Sequence, residues 1–167
     1  MISVEFARTM ARYNEWQNRS LYGAADRLDE AARRLDRGAF FRSIHGTLSH
    51  LYWGDNMWMS RFTSVPKPGV SIPGSATFVD DWEALKAART QFDQRIIAWA
   101  DGLDALALQG ELRWFSGARQ QDVTQPRWLA VTHFFNHQTH HRGQVHAMLT
   151  AAGAHPEDTD FIMMRAS

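Results

Sequence analysis

Cysteine is absent from all 167 residues. That removes disulfides, thiolate nucleophiles and every cysteine-based zinc site together, so any metal here must rest on histidine and carboxylate ligands. Net charge is also missing, because 18 Lys and Arg balance 18 Asp and Glu. Such a balance gives no electrostatic reason to expect nucleic acid or an anionic membrane as a partner. No run of about 18 apolar residues could span a bilayer, and no basic start leads into an apolar signal core. The expectation is a soluble, cytoplasmic protein. Internal repeats and low-complexity linkers are lacking too, and the length suits one hydrophobic core, so residues 1–167 read as a single domain.

What is present has helical periodicity. Phe6, Met10, Tyr13 and Trp16 recur at helical spacing and predict a first helix from Ser3 to about Gly23 or Leu28. "DEAARRL" reads as a short helical turn capped by Asp29. A second long helix is expected from about Phe40 to Phe62. It ends at "SVPKPGVSIPGS", where Pro66, Pro68 and Pro73 forbid continuation. A third, from about Phe78 to Ala100, carries Trp82, Leu85, Phe92, Ile96 and Trp99 in steps of three and four, with Arg89 in the remaining seam position. "ELRWFS" and "QQDVT" pair as a small hairpin or form a loop. The fourth long helix opens near Pro126 and stops at Gly153. Four long amphipathic helices with little strand predict an all-α four-helix bundle. Seven tryptophans point to large aromatic anchors in a core or interface.

Five of the eight histidines fall in one stretch of the fourth helix, "HFFNHQTHHRGQVHAML" (133–149). At about 100° per residue its apolar arc holds Val131, Phe134, Phe135, Val145, Met148 and Leu149. His141 lies inside that arc and His137 at its edge, while His133 and His140 fall outside and His146 sits on the opposite edge. His137 and His141 stand at i and i+4, the spacing that lets two helical histidines reach one ion. A lone pair of this kind is more often packed in a core than ligated, so a third donor is needed from another helix. The second helix offers His45 and His50. Neither lies on its main apolar stripe of Phe40, Ile44, Leu48, Leu51, Trp58 and Phe62. His50 joins a second stripe, Gly46-His50-Trp53-Met57, which calls for a second neighbour or a partner subunit. Periodicity alone does not choose between them.

These residues resemble the DinB-like (damage-inducible, YfiT-related) family of proposed metalloenzymes. The likeness covers nearly the whole chain: "YNEW" at 13–16, "HGTLSHLYWGDNMWMSRF" at 45–62, the N-H-x-x-x-H-R-G-Q pattern of the fourth helix, and "DTDFI" at 158–162. The resemblance implies a four-helix bundle, often dimeric, with a divalent metal held by one histidine of the second helix and two of the fourth. Carried over by motif, these are His50, His137 and His141, with His140 and His45 as the alternatives.

Three imidazoles would leave a coordination position for water or substrate, as in catalytic zinc sites. Imidazole suits nickel and zinc, and also iron or copper, with manganese a further alternative. An open metal lowers the pKa of bound water to about 7, polarises a carbonyl, or holds a thiolate. The expectation is therefore hydrolase or thiol-dependent transferase chemistry on a small molecule, the thiol coming from outside. The alternative is a non-catalytic, metal-stabilised bundle dimer. Asp55 is expected either to accept from a ligand N–H, or ligate weakly, or to pair with a buried arginine such as Arg142. Asn136 and Gln144 could orient rings or bind substrate, Trp53 and Trp58 could line a pocket, and Gly143 predicts close approach of a neighbouring helix. A homodimer is expected from the two apolar faces of the second helix.

Overall fold

In the computed structural model, which describes residues 1–164, four long helices run through the molecule: α1 (Val4–Asp26), α3 (Ile44–Phe62), α4 (Trp82–Asp101) and α5 (Arg127–Ala151). The expected all-α bundle is thus the fold. Residues 165–167 of the expected domain lie outside the described residues. No helix among the described residues is long and apolar enough to cross a membrane.

Each start has a local cause. Ser3, Ser43 and Asp81 accept a backbone N–H from Phe6, Gly46 and Ala84, which satisfies an orphan donor of the first turn. Asp29 caps the short α2 (Glu30–Arg34) as the sequence indicated. The strong caps at Ser43 and Asp81 shorten two predicted helices. α3 begins at Ile44 rather than Phe40, because Arg42 takes a positive φ of 67° and Ala39 bridges Arg42, so Phe40 is 78% exposed and lies off the core stripe. α4 begins at Trp82 rather than Phe78. Gly153, at φ +77°, ends α5 in the left-handed conformation that glycine adopts without strain. Of the hairpin and loop left open for this segment, the hairpin is present, with β1 (Glu111–Ser116) antiparallel to β2 (Gln121–Pro126) and Trp114 opposite Val123.

Helix α1 packs between α4 and α5, and α5 packs between α1 and α3. The core has two apolar halves. One is built on Met10, Met59, Phe92, Ile96, Phe134 and Phe135, the other on Leu21, Leu48, Leu51, Leu85, Val145 and Leu149. Each such side chain, fully buried, contributes roughly 1.5–3 kcal/mol. At the level between the halves every long helix contributes buried polar groups: Asn14 and Asn18 from α1, Asp55 from α3, Arg89 and Asp93 from α4, Gln138 and Arg142 from α5.

These groups pair with one another, although Arg89 Nε and Gln138 Oε1 have no partner among the described residues. Arg89 Nη1 donates to Asp55 Oδ2 at 2.6 Å, and Gln138 Nε2 donates to Asp55 Oδ1 at 3.0 Å. Arg89 Nη2 lies 2.8 Å from Asp93 Oδ1 but off the hydrogen-bonding axis, so this contact is an ion pair only. Asn14 and Asn18 donate to Asp93, and Arg142 donates to Asn14. Removing one member would strand a buried charge.

The second apolar stripe of α3 meets its own chain. A 3-10 turn at Ile72–Thr77 lies against it, Trp53 Nε1 donates to the Val70 carbonyl at 2.9 Å, and Ser49 Oγ donates to the Ser75 carbonyl at 3.1 Å. The two-faced character of α3 therefore needs no partner subunit to explain it.

Candidate metal centre

The 3-10 turn places Ser75, fully buried, beside His50. Ser75 Oγ donates to the Ile72 carbonyl at 2.6 Å, so its lone pairs face the ring and His50 Nδ1–H donates to it at 2.8 Å. The proton is thereby held on Nδ1 and the Nε2 lone pair is free. On α5, His141 Nδ1–H donates to the side-chain carbonyl of Gln144 at 2.7 Å, which frees its Nε2 in the same way. His137 stands one turn earlier. Its Nε2 lies 3.2 Å from His50 Nε2, and its Nδ1 is buried without a hydrogen-bond partner among the described residues.

One ring nitrogen from each of His50, His137 and His141 lies within 4.8 Å of the other two. Two nitrogens bound tetrahedrally to one ion at about 2.0–2.1 Å stand about 3.3 Å apart. The 3.2 Å between His50 and His137 has that length. Three ring nitrogens this close, with His50 and His141 holding their protons on Nδ1, present lone pairs that one cation can share. The donor set fits a divalent metal.

Burial keeps these rings neutral. Desolvation, with like charge from neighbouring imidazoles, lowers the pKa of His50 to about 3 and that of His137 to about 2. Desolvation also lowers His141, against the raising effect of its bond to Gln144. Neutral imidazole is the form that ligates.

Phe41 closes one side of the triad. Its ring stacks on His50 at 3.6 Å between centroids and meets His141 edge-on at 5.4 Å. On the other side a cavity of about 530 Å3 reaches His50 and His137 between α3, α5 and the hairpin, with Trp53, Trp58 and Trp114 in its walls. Its size falls in the usual range for small-molecule sites.

Gln144 does orient a ring, and Trp53 and Trp58 do line a pocket. Asp55 does not face the imidazoles. It pairs with a buried arginine, and that arginine is Arg89, not Arg142. Arg142 points to α1, where it donates to Asn14 and lies over Tyr13. Asn136 is exposed and forms no side-chain hydrogen bond among the described residues. His45 is buried with its Nε2 at 3.1 Å from the Val79 carbonyl, and His140 is exposed, so neither joins the triad. His133, which falls outside the apolar arc, is exposed and lines the cavity, its ring centroid 4.9 Å from that of Trp58.

Gly143 has nothing within 4 Å of the position a Cβ would take, contrary to the close approach expected there. The glycine that matters is Gly54, where a Cβ would meet His137 Cε1 at 2.8 Å. Sequence reasoning missed Gly54, Ser75 and Phe41. Gly54 had a signal, since it stands four residues after His50 and hence on the same helix face. Ser75 and Phe41 lie in non-helical segments and had none.

A model of the DinB family matches residues 2–166. Over 162 residues the chain is 24% identical to Protein DinB of Bacillus subtilis (strain 168), an alignment covering 94% of this chain and 92% of that protein.

Proposed function

From the membership of this chain in the DinB family, we propose that it is a metal-dependent enzyme whose His50, His137 and His141 hold one divalent cation, with a coordination position open to a small molecule. The observation that carries this reading is the convergence of three neutral imidazoles, two with their Nε2 lone pairs freed by Ser75 and Gln144, beside a cavity that His50 and His137 line. Nickel and zinc suit the donor set best. Bound there, such an ion supplies Lewis-acid chemistry that activates a water or an external thiol, giving a hydrolase or a thiol-dependent transferase.

The chain's own contributions follow from the geometry. Ser75 and Gln144 fix tautomer and ring direction. Phe41 packs over His50 and His141 on one side, and the cavity opens to His50 and His137 on the other. Trp53, Trp58 and Trp114 offer apolar faces to the body of a substrate. No cysteine is available as nucleophile, so the thiol of a transferase would come from a second small molecule.

Elemental analysis of the protein purified without chelators, with His137→Ala beside it, tests the reading. One ion per chain is expected in the parent, and loss of the ion with the helical spectrum intact in the variant. Full occupancy in the variant would end it. The second reading, a metal that only fastens α3 to α5 in a non-catalytic homodimer, predicts a sharp fall in thermal stability on chelation. The homodimer now rests on the family resemblance; a sedimentation mass near the 19.1 kDa monomer would reject it.

A further inference from the structure

The cavity outside the triad has a chemical bias of its own. Its lining holds two guanidinium groups, Arg61 and Arg119, and not one carboxylate. Arg119 is exposed in the hairpin turn. Arg61 is different, being half-buried on the last turn of α3. Its guanidinium carbon lies 4.2 Å from the centre of the Trp58 ring and 5.2 Å from that of Trp114. Among the described residues it has no side-chain hydrogen bond and no carboxylate within 4.0 Å, whereas the buried Arg89 and Arg142 both donate to a side chain.

Stacking on indole uses the face of the guanidinium and leaves its N–H edge unspent. A cation with a free fork of donors, in a part of the protein where burial pushes its pKa down to about 10, is a poor arrangement for the protein alone. It becomes a good one when an oxyanion is present, because a bidentate charge-assisted pair restores what burial removed. Arg61 is eleven residues past His50, about 16 Å of helix, and helical side chains lean back toward the N-terminus. Arg61 and two rings of the triad, those of His50 and His137, line the same cavity, set apart by that length of α3.

We infer that the outer part of this cavity is an oxyanion-recognition site, in which Arg61 holds a carboxylate or phosphate group of the small-molecule substrate. The apolar body of that substrate lies along Trp58 and Trp114, and its other end points to His137. Only that last direction rests on the metal-dependent reading above; the anion contact stands on Arg61 and the cavity.

Calorimetric titration of the metal-loaded full chain separates these points. The probes are phenylalkanoates of three to six chain carbons, the corresponding phenylalkyl phosphates, and the uncharged amides and alcohols of equal length. At least one acid or phosphate is expected to bind at least about tenfold tighter than its neutral partner, the scale of one charge-assisted contact. Arg61→Gln should bring the anion to the level of the neutral probe, and Arg61→Lys should keep part of the preference. The latter variant preserves the comparison if the glutamine substitution unfolds the chain. Absence of any preference, at every length, overturns the inference. So does a preference that survives Arg61→Gln, whether it disappears with Arg119→Gln or with removal of the metal, since the anion then sits on the hairpin or on the ion. Retention of the preference in a chain that binds no metal would support the Arg61 site and remove the metal-centre reading alone.

Discussion

Gly54→Ala adds one methyl group where α3 passes His137, and it should separate metal binding from folding. The added Cβ would stand 2.8 Å from His137 Cε1 and 3.4 Å from its Nδ1. Carbon atoms in contact rest at about 3.5–4.0 Å, so ring or helix must yield by roughly 0.7–1.2 Å. Metal–ligand distances tolerate about ±0.2 Å. The imidazole can swing clear in the metal-free protein, but then it leaves the point it shares with His50 and His141. Alanine meanwhile favours the helix over glycine by about 1 kcal/mol. The metal-free variant should accordingly match the parent in thermal stability, or exceed it by up to about 1 kcal/mol. Its affinity for zinc or nickel should fall by about 10- to 100-fold, the scale seen when a ligand loses its outer partner. Chelator-competition titration reads the affinity, and melting with and without chelator reads the stability. A variant that binds metal as tightly as the parent would refute the placement of His137 against α3.

Two further outcomes follow from the buried charges. Asp55→Ala should destabilise the chain by about 3 kcal/mol in urea unfolding, because it removes one of the two carboxylates that balance buried Arg89 and leaves Gln138 Nε2 without its acceptor, while leaving metal stoichiometry unchanged in the folded protein; loss of the metal with little change in stability would reinstate Asp55 as a ligand. In the metal-free protein, His137 titrates near 2 when folded and about 6.5 when unfolded, so below about pH 6.5 only the unfolded chain takes up its proton and stability falls with pH. The slope is at most about 1.4 kcal/mol per pH unit. Asp93, raised to about 6 chiefly by burial, acts in the opposite sense, gaining stability as pH falls through that value. Subtracting the profile of His137→Asn cancels it, and a parent no more acid-sensitive than that variant between pH 7 and 5 would contradict the buried neutral ring.

The sequence by itself determined the four long helices, because apolar residues in steps of three and four, capping side chains and prolines act over one or two turns, but it left the hairpin open against a loop. It also placed His137 and His141 on one face of α5, which is a matter of helical pitch alone. The choice of His50 over His45 was not local. Both are buried on α3, and which one turns to α5 depends on how the 64–81 segment folds back: it gives His45 a backbone carbonyl from Val79 and His50 the hydroxyl of Ser75. Motif resemblance pointed to His50, but periodicity could not. The partner of Asp55 was likewise decided by packing across the bundle, where Arg89 of α4 reaches it first. Gly143 and Gly54 make the same point from the backbone. A glycine in a helix announces that something is close or that nothing is, and only the neighbouring helix distinguishes the two. The tertiary structure alone revealed the cavity and an Arg61 with no carboxylate partner among the described residues, because a pocket is a property of surfaces brought together from α3, α5 and the hairpin, and no segment contains it.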